Sequence, residues 1–76
     1  MDSKPTPGAL VLLMEAPAGL LEGLPREDQQ AIFETIGKPI QLVGYGDDGR
    51  AELSFTDGAG VIRFIYVNPS AIKLAP

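Results

Sequence analysis

Few side chains in this sequence are spaced to do chemistry, and the first that raise the question are Gly44-Tyr45-Gly46-Asp47-Asp48-Gly49, GYGDDG, directly after the apolar run IQLV. The spacing G-x-G-x-x-G at the end of a strand is that of a dinucleotide loop, in which backbone N–H groups at the start of a helix meet a pyrophosphate. Here the alternating segment RAELSF follows where that helix is required, and Asp47 and Asp48 put two negative charges where an anion must sit. Asp-Asp-Gly between alternating segments is instead a hairpin turn. The carboxylates of Asp47, Asp48 and Asp57 raise calcium next, but no twelve-residue loop with ligands at alternate positions and a closing Glu can be written around them. Glu52 with Asp57 or Glu15 is formally a carboxylate pair for acid–base work, yet no local motif joins them, and a core this small leaves little room for a ligand cavity of several hundred cubic ångströms. The sequence therefore predicts no catalytic residue, no bound cofactor and no metal site.

Composition narrows the function classes further. Among the 76 residues there is no histidine and no cysteine, which removes Ser-His and Cys-His nucleophile pairs, disulfides and the usual zinc ligands. Six Lys and Arg against ten Asp and Glu leave a net charge of −4, opposed to the phosphate contacts on which nucleic-acid affinity rests. The run ALVLLM at 9–14 is shorter than a signal-peptide apolar region and lacks a basic start, and no segment approaches the length that spans a bilayer. The expectation is a non-enzymatic, acidic, cytoplasmic protein without a membrane partner.

Hydrophobic periodicity supplies the elements. Residues 1–8, MDSKPTPG, are too polar and too rich in Pro to order themselves, and are expected as a flexible tail ahead of a single domain over 9–76. Leu10 to Met14 reads as a short strand. APAGLLEGL reads as an irregular connection that pins Leu20, Leu21 and Leu24 to the core. Pro25 to Ile36 reads as a helix, with Pro at its first position, Glu27 and Asp28 at the positive end of its dipole, and Gly37 and Pro39 ending it. Gln29, Ile32, Phe33 and Ile36 form its expected buried face. Three strands follow, Ile40 to Tyr45, Arg50 to Thr56 and Val61 to Val67, separated by glycine-bearing turns. The second alternates, with Ala51, Leu53 and Phe55 dry and Glu52, Ser54 and Thr56 wet. The third, VIRFIYV, is apolar on both faces apart from Arg63 and reads as a central strand covered on each side. NPSAI reads as one helical turn and KLAP as a short closing strand.

This order is mainly β with one α-helix. Through GKPIQLVGY, GRAELSF, DGAGVIRFIYV and PSAI it resembles an SH3-like small barrel of about five strands, with the helix inserted in the first long loop, and it is similar to small bacterial SH3-like barrel proteins of unknown function. Elimination, with no histidine, no cysteine, no phosphate loop and no basic excess, leaves a non-enzymatic protein–protein interaction module as the expected function, monomeric or weakly dimeric. SH3 domains that bind proline-rich peptides do so through several aromatics including tryptophan, with acidic loops that select a basic residue; this chain has no tryptophan. The candidate partner-binding residues are Tyr45, Asp47, Asp48 and Tyr66, suited to a protein with a basic surface. Two other readings stand beside this one. One is a nucleic-acid-associated barrel, which needs Arg50, Arg63, Lys38 or Lys73 gathered beside Tyr45 or Tyr66; the other is an accessory or inhibitory subunit of a larger enzyme.

Overall fold

A computed structural model describes residues 4–76; Met1, Asp2 and Ser3 of the expected tail lie outside the described residues. Five strands, β1 (Leu10–Leu13), β2 (Pro39–Tyr45), β3 (Ala51–Thr56), β4 (Ile62–Val67) and β5 (Ile72–Leu74), make one antiparallel sheet in the order β4-β3-β2-β1-β5. The β1–β2 connection carries a four-residue helix α1 (Ala18–Leu21) and the main helix α2 (Arg26–Thr35), and a 3₁₀ turn (Pro69–Ala71) joins β4 to β5. The sheet is open: no pairing among the described residues joins β4 to β5, so the expected closure into a barrel is not formed.

Alternation in β3 places Ala51, Leu53 and Phe55 in the core together with Val11, Leu13, Leu42, Ile65 and Val67. α2 covers this face with Ala31, Ile32 and Thr35. Phe33, expected among the buried helical residues, is exposed, because the stripe that meets the sheet runs through 28, 31, 32 and 35 and leaves Phe33 off to one side at 100° per residue. α2 ends as expected: Gly37 has a positive φ of 81° and donates its N–H to the Leu13 carbonyl at 3.2 Å. α1 replaces part of the irregular connection, and Gln29 Nε2 donates to the carbonyls of Leu21 and Leu24, tying α1 to α2. Leu20, Leu21 and Leu24 pack against the core as expected.

Both hairpin turns follow one plan. Gly46 N–H donates to the Arg50 carbonyl and Gly49 N–H to that of Gly46; Asp57 N–H donates to Val61 and Gly60 N–H to Asp57. Gly49 and Gly60 both take φ of 84°, the left-handed residue that closes a three-residue hairpin loop with a bulge. A further bulge interrupts β2, where Leu42 pairs with Leu53 but Gly44, not Val43, pairs with Glu52. One inserted residue reverses the alternation, so Tyr45 comes opposite Ala51 on the core side while Val43 is exposed.

β4 overturns its expectation. It is an edge strand, not a central one. Its inner residues Ile65 and Val67 are buried, but nothing covers the outer ones: Ile62 is 63%, Phe64 57% and Tyr66 45% exposed.

Candidate functional site

The four candidate residues do not form one cluster. Tyr45 is half-buried against the core, its hydroxyl donates to the Pro5 carbonyl at 2.7 Å, and the Lys4 ammonium stands 5.0 Å from its ring centroid. Tyr45 therefore ties residues 4–5 to β2. Gly8 N–H adds a bond to the Leu42 carbonyl at 2.7 Å.

Asp48 and Tyr66 do come near one another, through Arg50. Asp48 Oδ1 accepts from the Arg50 backbone N–H and Oδ2 from its Nε at 2.7 Å, while the guanidinium carbon lies 5.9 Å from the Tyr66 centroid. These bonds, the backbone one first, hold the Asp48 carboxyl below its ordinary value. Asp47 is exposed on the same turn.

A second clamp, which no local pattern signals, stands at the other end of β4. Asp57 Oδ1 accepts the N–H groups of Ala59 and Val61, and Oδ2 accepts Arg63 Nε at 2.6 Å; Arg63 Nη1 donates to Asp28 at the start of α2. The Val61 N–H, then Arg63, hold the Asp57 carboxyl below its ordinary value. Asp57 is thus an ionised turn anchor, and Glu52 stands away from it on the outer face, opposite Tyr66. Among the described residues no group of three or more acidic residues is placed to hold a metal ion.

Between the two clamps lies the outer stripe Ile62, Phe64 and Tyr66, spaced two residues apart on one face. Across β3 it meets Thr56, Ser54 and Glu52. Beside it, α1 and the end of β4 enclose a groove of about 550 Å³ lined by Pro17, Leu20, Leu24, Phe64, Tyr66 and Val67 among others. A smaller hollow of about 170 Å³ continues past Leu24 to Asp28 and Arg63. Another cleft, of about 420 Å³, lies between the end of α2 and the sheet, with Glu34, Lys38 and Asp57 at its sides. Spaces of ligand size therefore exist, contrary to expectation; they lie between the helices and the sheet surface and not within the core. Among the described residues no helix is long and apolar enough to cross a membrane.

The chain matches no protein-family profile, and neither a curated protein nor a solved structure matches it.

Proposed function

We propose that the chain is a non-enzymatic protein–protein interaction module of SH3-like type. The observation that carries this reading is the stripe Ile62, Phe64 and Tyr66, extended by exposed Val61 on the adjoining turn. Fully burying a side chain of this size is worth about 1.5–3 kcal/mol, so a contiguous apolar row left in water is a surface with a partner to gain. The SH3-like assignment is supported by the connectivity, in which β1 pairs with both β2 and β5, the helices interrupt the first long connection, and a 3₁₀ turn precedes the last strand.

Charge favours a protein over nucleic acid as that partner. Arg50 and Arg63 stand nearest the stripe, and both are already held by carboxylates, so neither offers the unpaired positive track that single strands require. The test is affinity capture of the tagged full chain from the lysate of its own cells, with and without nuclease, alongside the double variant Ile62→Ser, Phe64→Ser. One stoichiometric protein that survives nuclease and disappears with the double variant is the expected result. Loss of every partner on nuclease treatment would overturn the reading in favour of a nucleic-acid module.

A further inference from the structure

The backbone of β4 adds something the exposed stripe alone does not. Asp57 N–H donates to the Val61 carbonyl at 2.9 Å, and the pairing continues in register from Thr56 with Ile62 to Ala51 with Val67. Hydrogen-bonded and non-hydrogen-bonded pairs alternate along an antiparallel ladder. Arg63, Ile65 and Val67 therefore bond to β3, while Ile62, Phe64 and Tyr66 turn their N–H and C=O groups toward the free edge. Among the described residues no backbone group elsewhere in the chain bonds to those three. β4 also lacks the usual guards of an edge: it has no proline, lysine or bulge, and its one cation, Arg63, is bound to Asp28 and Asp57. Phe64 and Tyr66 of this strand also line the groove beside α1.

Charge selects the occupant. At the Tyr66 end, Glu52, Asp47 and Asp48 outweigh Arg50; at the Ile62 end, Asp28 and Asp57 outweigh Arg63. The edge is apolar in the middle and net negative at both ends. A second copy would bring negative ends against negative ends in antiparallel self-pairing, with a net charge of −4 on each chain. An extended segment with an apolar middle and cationic ends matches the pattern at every position.

We propose that the free edge of β4 takes up an extended peptide as a sixth strand, and that the peptide it fits alternates apolar side chains between Lys or Arg residues at its two ends. This rests on the interaction-module reading and specifies how the partner docks. The probe is the capped peptide Lys-Val-Thr-Val-Thr-Val-Lys, titrated into the isotope-labelled full chain and followed by amide chemical shifts. Two analogues accompany it, one with Glu in place of both Lys and one N-methylated at every internal amide.

The expected result is saturable shifts centred on the amides of Ile62, Phe64 and Tyr66, with both analogues weakened by about tenfold or more, equivalent to about 1.4 kcal/mol. Equal binding by the N-methylated peptide would overturn strand addition while leaving a side-chain docking face, so the module reading would survive. Equal binding by the Glu-ended peptide would overturn the charge selection. Peptide-independent, concentration-dependent dimerisation that shifts the same amides would assign the edge to a second copy. Absence of binding by all three peptides would overturn the proposal, with the module reading still decided by the capture experiment.

Discussion

The two edges of the sheet are built in opposite ways. β5 is three residues long, carries Lys73 at its middle position, and is followed within two residues by Pro76. It offers little backbone to a new strand, and what it offers carries a charge and is followed by a proline that has no N–H to donate. β4 is six residues long and presents Ile62, Phe64 and Tyr66 with neither guard. Edge strands left open in this way invite pairing, so one edge is guarded and the other leaves its backbone groups free. The same chain thus shows what protecting an edge takes, and where that protection was withheld.

The comparison is tested hardest by separating β4's role in the core from its role at the surface. Phe55, on the dry face of β3 opposite Arg63, should cost about 3–5 kcal/mol when changed to Ala, read from urea unfolding; Phe64→Ala, one position along on the outer face of β4, should stay within about 0.5 kcal/mol. Similar losses would mean that the outer row is packed and the edge is not open. The β3–β4 turn that starts β4 in register is next: Gly60→Ala forces a side chain into a left-handed conformation and should cost about 1–2 kcal/mol. An unchanged midpoint would show that Gly60 does not set the hairpin.

The acid limb of stability sharpens the picture of the clamp at the Ile62 end. The Asp57 carboxyl titrates lower in the folded chain than its unfolded value of about 3.9. As pH falls, the unfolded chain takes up the proton first. The stabilisation from Asp57 is therefore fully present above about pH 5 and is lost as pH falls through the folded value. Asp57→Asn should flatten that limb of a stability-against-pH curve; an unaltered slope would remove the clamp from the account. The smallest effect belongs to Glu52→Ala, which should shift folding stability by no more than about 0.5 kcal/mol and should act only on the affinity for cationic peptides.

What the sequence made legible was local. The Asp-Gly turns, the alternation of β3 and the stop signal at Gly37 each lie within a few residues of their consequences, and each is found where the pattern put it. What it concealed was relational. VIRFIYV is apolar on both faces whether it is flanked by two strands or one, so its place at the edge depends on chain returning from elsewhere. The β2 bulge leaves no mark in PIQLVGY, because register is decided across the ladder with β3, and it is this bulge that sends Tyr45 inward. The Arg63–Asp28 contact spans 35 positions. Of the four candidate residues, Tyr66 lies on the stripe, Asp47 and Asp48 flank it, and Tyr45 serves the fold.

The most direct test of the open edge is amide hydrogen exchange along β4, measured by NMR on the full chain alone and with the lysine-ended peptide. Alone, Ile62, Phe64 and Tyr66 should exchange quickly while Arg63, Ile65 and Val67 are protected by their bonds to β3; with the peptide, all six should be slow. Uniform protection of the free chain would show that the edge is already occupied, and continued fast exchange at 62, 64 and 66 in the peptide-saturated chain would contradict strand addition.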